Sequence, residues 1–275
     1  MISIITAIHN QLPMNKLFYK YLVRYTKNKF ELIIIDNASS DGSREFFESK
    51  GALIISNPTN YSYPYCQNQG IAVAKYEILI FLNNDLIVSK DWDERAIHMM
   101  QKKQIDVATC VATERLENNE ITHKHHKRWK YLRNPLLFLF GTGYLNLRLM
   151  HLLFYGNWER YTEKRYQKFN DRAIDGISGS NVIMKRDCLS KIGLWDERMQ
   201  GADFDLYLRV KKHAVEYGDI KPVQLLLGIY LHHYCRLTIK HQTKSFADQN
   251  VLIPLLQKWN KEEALQLLAG SGLTL

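Results

Sequence analysis

The segment YEILIFLNNDLIVSKDWDER, residues 76–95, carries the pattern that decides the fold. A predicted buried strand, EILIFL, runs directly into three short polar residues, Asn83, Asn84 and Asp85, after which apolar residues resume. Three similar runs rich in β-branched residues precede it, namely ISIITAI, ELIIID and ALIIS. Helix-like segments alternate with these runs at residues 14–27, 41–50, 64–75 and 91–103. The alternation predicts an α/β fold with a Rossmann-like, mostly parallel central sheet flanked by helices.

The composition is that of a globular protein with a basic balance. Hydrophobic residues make up 46% of the 275 positions and charged residues 24%. The net charge of +9 favours anionic partners such as nucleotides, phospholipid headgroups or nucleic acid, without choosing among them. Four scattered cysteines form no CxxC pair, so we expect reduced thiols rather than a disulfide framework or a zinc ribbon. With no basic leader in MISIITAIHNQ, a cytoplasmic location is expected.

Residues 113–172 break the alternating pattern. HKHHKRWKYLR, residues 123–133, combines cations and histidines without an acid, and the histidines lack the spacing of a zinc site. The apolar stretch at 134–156 is interrupted by Asn146, Arg148 and His151, which argues against a spanning helix. We expect an insertion or lid here, with at most an interfacial or buried helical hairpin and a solvated basic face.

The predicted strands end in polar clusters, which are HNQ, DNASSDGS, NPTNYSY and NNDL. Any one cluster is explained by turns and helix caps. In a parallel sheet, however, the carboxyl ends of the strands meet at one edge, where ligands bind. Asp36 could accept hydrogen bonds from a nucleobase or ribose there, and Asp85 could bind a divalent cation such as Mg²⁺ or Mn²⁺.

Two later segments add candidate residues. In GADFDLYLR, Asp203 and Asp205 precede a helix-like run, so each is either a cap residue or a general base facing a substrate hydroxyl. Asp205 fits the structural role better. His232 and His233 end the predicted strand GIYLHH, and either could bind a metal or a phosphate, although a buried packing role is the commoner one.

Taken in order, these segments resemble the family 2 glycosyltransferases, which are inverting enzymes of the GT-A fold that use nucleotide-diphosphate sugars. The resemblance lies in SIITAIHNQ, ELIIIDNASSDGS, residues 60–85 and residues 176–209, and it covers more than half of the chain. Each motif is weak alone, but the ordered set is specific. It implies one GT-A domain at residues 1–242 and a helical extension at 243–275, broken near Pro254 and capped near Gly270.

Within that domain, residues 1–112 resemble the nucleotide-sugar half, 113–172 the insertion, and 173–242 the acceptor and catalytic half. The resemblance implies that Asp203 is the general base and that Asp85, with His232 or His233, binds Mn²⁺ or Mg²⁺. It further implies that the nucleotide-sugar contacts are Thr6, Ala7, His9, Asn10, Asp36, Asn68, Asn83, Asn84, Asp85, Gly179 and Ser180.

The chain departs from the family pattern at two places. Ala202 stands where the family usually has a glutamate before the catalytic aspartate, and Asn83 and Asn84 leave Asp85 as the one charged residue of the DXD-like element. Metal affinity is therefore the least secure part of the resemblance.

The implied reaction transfers a hexosyl or deoxyhexosyl group with inversion to a hydroxyl of a glycan or lipid-linked acceptor, in cell-surface polysaccharide synthesis. Two alternatives compete with it. A binding or scaffold protein of the same fold would explain Ala202 and Asn83, whereas a sugar-phosphate nucleotidyltransferase would need a Gly- and Arg-containing loop that TAIHNQLP lacks. Nucleic-acid binding lacks a recognition motif, and basic residues beside an apolar stretch fit an anionic membrane surface better.

Overall fold

A computed structural model describes residues 1–235, residue 237 and residues 246–274, and its strands form one nine-stranded sheet. The strands are β1 (Ile2–Ile8), β2 (Phe30–Asn37), β3 (Leu53–Asn57), β4 (Ile78–Leu82), β5 (Leu86–Ile87), β6 (Val107–Ala112), β7 (Ala173–Asp175), β8 (Asn181–Lys185) and β9 (Gln224–His233). Their order across the sheet is β3-β2-β1-β4-β8-β6-β9-β5, and β7 pairs with β9.

Helices cover both faces of this sheet. They are α1 (Leu12–Tyr25), α2 (Ser43–Glu48), α3 (Tyr63–Val73), α4 (Trp92–Lys103), α5 (Asn119–Phe140), α6 (Tyr144–Tyr155), α7 (Trp158–Phe169), α8 (Leu189–Ile192), α9 (Ala202–Tyr217), α10 (Leu255–Lys258) and α11 (Lys261–Leu268). One hydrophobic core lies beneath α1 and α4–α7, and a second lies beneath α3, α9 and α11. The predicted α/β class, with a sheet flanked by helices, is confirmed.

The sheet is parallel only in part, which corrects the expectation of a mostly parallel sheet. β3, β2, β1 and β4 pair in parallel, as the alternating pattern predicted. β8 then runs antiparallel to both β4 and β6, whereas β6 and β9 are parallel. β8 follows the long helical segment, so no local βαβ pattern in the sequence indicated its direction.

Residues 113–172, expected to be an insertion or lid, contain three helices, α5, α6 and α7. α6 packs against α1, and α7 packs against β9. The basic stretch is only partly a solvated face, because His125, Trp129 and Arg133 turn toward the interior at helical spacing. Among the described helices, none is long and apolar enough to cross a membrane.

The C-terminal segment is helical, as expected, with α10 beginning directly after Pro254 and a left-handed turn at Gly270 after α11. The Arg115 side chain holds the end of the C-terminal segment by donating to the carbonyls of Ser271 and Gly272. The expected boundary at residues 242 and 243 lies outside the described residues. All four cysteines are free and buried.

β9 carries an irregularity that sets the position of its last residues. Its register with β6 jumps from Cys110 opposite Leu226 to Val111 opposite Tyr230, so that residues 227–229 bulge from the ladder. β9 then continues regularly and ends with His233 opposite Leu86 of β5.

Candidate active site

The polar segment Asn83–Asn84–Asp85 connects β4, in the middle of the sheet, with β5, which pairs with the end of β9. The Asn83 amide donates to the Ser180 carbonyl at 3.0 Å, and the Tyr234 amide donates to the Asp85 carbonyl at 3.0 Å. The segment therefore crosses from one strand end to another along the rim of the sheet.

A cavity of about 450 Å³ opens beside this segment. It gathers residues from six separate parts of the chain, brought together by the sheet and by the start of α9. The residues that line it are Tyr63, Asn83, Glu114, Gly179, Ser180, Gln200, Ala202, Asp203 and His233. Five of these, Asn83, Gly179, Ser180, Asp203 and His233, were predicted from the sequence as site residues.

His233 bridges two carboxylates at one side of the cavity. Its Nε2 lies 3.0 Å from Asp85 Oδ1, and its Nδ1 lies 2.8 Å from Glu114 Oε2. Burial disfavours the imidazolium, but the charges of Asp85 and Glu114 outweigh burial and raise the pKa of His233 well above its usual value. Both ring nitrogens then carry protons and donate to the carboxylates.

Glu114 is itself fixed in place. The Ser178 hydroxyl donates to its Oε1 at 2.8 Å. Burial alone would raise the pKa of this carboxyl, but His233 and the hydroxyls of Ser180 and Ser178 lower it to about 2. Glu114 is therefore ionised at neutral pH and holds His233 from the side opposite Asp85.

Asp203 lies in the first turn of α9, at the cavity wall. Burial, with a smaller contribution from Glu114, raises the pKa of its carboxyl above the usual value, although backbone amides at the helix start oppose the rise. Gly179 makes room for this carboxylate, because a Cβ at Gly179 would lie 2.1 Å from Asp203 Oδ2. A buried carboxylate with a raised pKa suits proton removal from a substrate hydroxyl.

His232 occupies the opposite face of β9, because successive side chains of a strand alternate in direction. Its Nδ1 lies 2.8 Å from the Tyr155 hydroxyl and 3.2 Å from Thr113 Oγ1, and its ring packs edge-on against Trp129. Burial lowers the pKa of His232 well below its usual value, so the ring is neutral. Between the two predicted histidines, the structure brings His233 to Asp85 and places His232 in an aromatic interior.

The predicted nucleotide-contacting residues of β1 and β2 lie at neighbouring strand ends. Ile8 pairs with Asp36, His9 Nδ1 lies 2.6 Å from the Asn37 carbonyl, and the Asn10 amide donates to Ser39 Oγ at 2.8 Å. Asp36 is almost fully buried. Thr6 and Ala7 precede this junction within β1, and the Thr6 hydroxyl is buried with no hydrogen-bond partner among the described residues.

Two predicted contact residues have their side chains engaged elsewhere. Asn84 is buried and donates to Asn15 of α1 at 2.7 Å. Asn68 donates to the Trp195 carbonyl and to Glu197, and it accepts from the Trp195 amide. The structure thus gives Asn84 a role in joining the rim to α1, and Asn68 a role in holding the loop before α9.

The donor set beside the cavity fits a divalent cation. Glu114, His233 and Cys235 offer ligand atoms that all lie within 4.8 Å of one another, and Asp85 adds a carboxylate against the same imidazole. Carboxylate oxygen and imidazole nitrogen suit Mn²⁺, whereas the thiol is a softer ligand. To bind the ion, His233 would have to lose the Nε2 proton that it donates to Asp85; Asp85 and His233 could then both hold the ion, while Glu114 keeps its hydrogen bond to the Nδ1 side of the ring.

Sequence reasoning missed four residues of this region. Glu114, Tyr63 and Gln200 line the cavity, and Ser178 anchors Glu114. Glu114 is 119 residues from His233 along the chain, and the polar segment TERLENNE that contains it was not among the strand-end clusters recognised in the sequence. The one available signal was its place directly after a fully buried strand, β6, at the same rim as the other strand ends.

Comparison with known proteins agrees with this arrangement. The family model described as "Glycosyl transferase family 2" matches residues 3–193. O-antigen biosynthesis protein RfbC of Myxococcus xanthus is 24% identical over 170 residues, which are 56% of this chain and only 11% of that protein. The matched part of this chain therefore spans a small fraction of that relative.

Solved structures share the fold. Mannosyltransferase PcManGT from Pyrobaculum calidifontis, in complex with GDP-Man and Mn²⁺, superposes with a TM-score of 0.55 at 15% identity, over 85% of this chain and 56% of that one. TarS 1–349 of S. aureus, in complex with UDP-GlcNAc, gives 0.53 at 14% identity, over 91% and 64%. The sheet and its flanking helices have the fold of these GT-A glycosyltransferases. The chain belongs to glycosyl transferase family 2.

Proposed function

We propose that the protein transfers a hexosyl or deoxyhexosyl group from a nucleotide-diphosphate sugar to a hydroxyl group, with inversion at the anomeric carbon. The observation that carries the proposal is one cavity lined by a partly buried carboxylate, Asp203, and by Glu114 and His233, with Asp85 paired to His233. Such a transfer requires a base and a positive charge near the departing diphosphate; because the group has two carboxylates around one imidazole, a bound divalent cation would supply that charge.

In this reaction Asp203 removes the proton of the acceptor hydroxyl, whose oxygen forms the new bond to the anomeric carbon. The bond from that carbon to the diphosphate breaks on the opposite face, and the nucleoside diphosphate leaves with the bonding electrons. His233 is held between two carboxylates at the side where the negative charge develops. A divalent cation held by Asp85 and His233 would neutralise part of that charge.

The donor-binding role rests on the rim formed by β1, β2 and the segment after β4. Asp36 and the residues Thr6–Asn10 stand where the nucleoside would lie, and Asn83, Gly179 and Ser180 stand nearer the transferred sugar. PcManGT and TarS have been solved with GDP-Man and UDP-GlcNAc, which supports a nucleotide sugar as donor. The acceptor is proposed to be a glycan or lipid-linked hydroxyl in surface polysaccharide synthesis, as the name of RfbC suggests. The proposed location is cytoplasmic, with peripheral contact at the membrane.

A thermal-shift screen of UDP- and GDP-sugars, with and without Mn²⁺, identifies the donor, because a ligand that binds only the folded state raises its melting temperature. The stabilising donor is then used with purified protein to measure release of nucleoside diphosphate. We expect Asp203→Asn to bind this donor normally and to lose about 10²- to 10⁴-fold in kcat.

Asp205→Asn serves as a neighbouring change on the same helix. Asp205 is fully buried and pairs with Arg209 and Lys258, away from the cavity lining. Normal turnover by Asp203→Asn would refute the assignment of the base. Stabilisation by nucleotide sugars without any turnover would favour the binding or scaffold alternative.

A further inference from the structure

The hairpin formed by α5 and α6 exposes an unusual amount of apolar surface. Phe138 is 88% exposed and Leu145 is 76% exposed, on the two sides of the turn at residues 141–143. The large apolar side chains exposed on the hairpin from its tip onward are Phe138, Leu139, Phe140, Leu145, Leu149, Leu152 and Leu153. Single exposed apolar residues are ordinary, but a contiguous group marks an interaction surface.

This tip is a defined structure rather than a frayed helix end. The Asn146 amide group donates to the carbonyls of Leu136 and Gly141, at 2.9 and 2.6 Å, and so closes the turn between the helices. The Tyr234 hydroxyl donates to the Leu147 carbonyl and joins α6 to the end of β9. The exposed side chains are therefore held outward by the fold.

The same hairpin is strongly cationic. From residue 121 to residue 158 the chain contains no Asp or Glu. Its exposed cations are Lys124, Lys127, Arg128, Lys130 and Arg148. Lys127 and Lys130 line a groove of about 550 Å³ along α5, together with Tyr131 and Pro135. Cations adjoining an apolar tip are complementary to a surface that is anionic outside and apolar beneath.

A second groove lies on the other side of the tip, between α1 and α6. It has a volume of about 500 Å³ and is lined by Arg24 and Arg148 together with Leu145, Leu149 and Leu152. Glu159 also lines it and pairs with Arg24 at 3.0 Å, so Arg148 is the arginine without a carboxylate partner among the salt bridges of the described residues. These leucines recur at positions i, i+4 and i+7, so they form one stripe on α6. Arginine is well suited to phosphate, and the leucine stripe begins beside it. The groove matches the headgroup and the upper acyl chain of an anionic phospholipid.

We propose that the α5–α6 hairpin docks the protein on an anionic phospholipid bilayer. The apolar tip enters the interfacial region, the arginine groove receives lipid phosphate, and the lysines of α5 face the surrounding headgroups. The inference deepens the proposed function, on which it rests only for the idea that the acceptor is lipid-linked. Trp129 and Arg133 of α5 donate to the Tyr234 carbonyl, directly after His233. Docking would thus fix the orientation of the candidate active site relative to the bilayer.

The test uses the whole protein and vesicles of phosphatidylcholine with or without phosphatidylglycerol. We expect sedimentation with the anionic vesicles, weakened by salt, and little with neutral vesicles. Phe138→Ser/Leu145→Ser should weaken binding by at least about tenfold, because two apolar side chains no longer enter the lipid. Lys127→Gln/Lys130→Gln should weaken it by roughly 30-fold.

Matched controls test whether the position of the substituted residues matters, or only the loss of apolar side chains or of positive charge. Val215→Ser/Leu194→Ser removes two exposed apolar side chains elsewhere, and Lys50→Gln/Lys261→Gln removes the same charge elsewhere. Neither should change vesicle binding by more than about twofold. Equal losses in the hairpin variants and the controls would overturn the proposal, as would no sedimentation of the unaltered protein at low salt.

Gel filtration tests whether the apolar tip binds a second copy of the protein instead of a membrane. If the unaltered protein is a dimer that Phe138→Ser/Leu145→Ser dissociates, and no vesicle binding is seen, the tip binds a second copy and the proposal is wrong. Donor-induced thermal shifts are measured on the same variants without vesicles. Vesicle binding without any donor response would overturn the proposed function and leave the membrane site standing.

Discussion

At the scale of single residues, the charge of Glu114 acts on the carboxylate of Asp203 although no hydrogen bond joins the two side chains. Burial and the charge of Glu114 both raise the pKa of Asp203. The active form of a general base is the ionised one, so activity is present above the raised pKa and is lost as the pH falls through it. The lower limb of the pH–rate profile therefore reports on the pair.

We predict that Glu114→Gln moves that limb to lower pH. Removing the negative charge removes one cause that raises the pKa of Asp203, so that the base stays ionised in more acidic solution. The measurement is the pH dependence of kcat/KM for the unaltered protein and the variant. Glu117→Gln is the matched control, since Glu117 pairs with Arg165 and does not line the cavity. If the acidic limb of the kcat/KM profile is unchanged in Glu114→Gln, the charge of Glu114 does not affect the pKa of Asp203.

At the scale of secondary-structure elements, the closeness of α3 to the sheet depends on one glycine. A Cβ at Gly70 would lie 2.3 Å from Ile5 Cγ2 and 3.2 Å from Ile35 Cδ1. Helix α3 therefore packs on β1 and β2 at a distance that no larger residue permits without movement. The ends of those strands carry the proposed nucleoside-binding residues.

Gly70→Ala should lower the free energy of unfolding by about 1–3 kcal/mol, because overpacking outweighs the better helix propensity of alanine. Equilibrium urea denaturation measures the change. Ala72→Ser, at an exposed position of the same helix, should stay within about 0.5–1 kcal/mol of the unaltered protein. If Gly70→Ala is as stable as the unaltered protein, α3 can shift away from the sheet.

The elements also show what sequence could predict. Strands β1–β4 and helices α1–α4 follow local patterns, because β-branched runs and helical periods are properties of neighbouring residues. Helices α5–α7 were not assigned, since the inward face of α5 carries His125 and Arg133 beside Trp129, and periodicity assigns histidine and arginine to the surface. Their partners, Tyr230 and Tyr234 of β9, lie about a hundred positions away. Such contacts become visible only when the chain is folded.

The residues of the candidate site also fall into those that local sequence could predict and those that only the folded chain reveals. Asp85, Asp203 and one of the two histidines could be predicted because each follows or precedes a recognisable element. Glu114 could not, since its role depends on Ser178 and His233, which are distant in sequence. The choice between His232 and His233 needed the register of β9 against β5.

At the scale of the whole molecule, the C-terminal segment is fastened to the helix that carries Asp203. Asp205, fully buried, accepts from the Trp259 indole at 2.9 Å and from Arg209 at 2.8 Å, and it pairs with Lys258 at 2.6 Å. These bonds join α9 to residues more than fifty positions later. Helix α9, which carries Asp203, and the C-terminal segment therefore pack as one unit.

We predict that Trp259→Phe is less stable than Trp195→Phe by about 1–2 kcal/mol. Both indoles are buried, but only the Trp259 N–H has a hydrogen-bond partner among the described residues. The comparison therefore isolates one bond to a buried carboxylate. Urea denaturation of the two variants measures the difference, and equal losses would mean that Lys258 and Arg209 alone satisfy Asp205.

The bulge of β9 at residues 227–229 has a consequence for insertions and deletions in this strand. Because side chains alternate, adding or removing one residue between the bulge and His232 would exchange the surroundings of the two histidines. After a deletion, His233 would enter the aromatic interior and Asp85 would lose its histidine partner; after an insertion, His232 would take the place of His233 beside Asp85. Homologues that keep this site are therefore expected to vary the length of β9 within the bulge, or by two residues at a time.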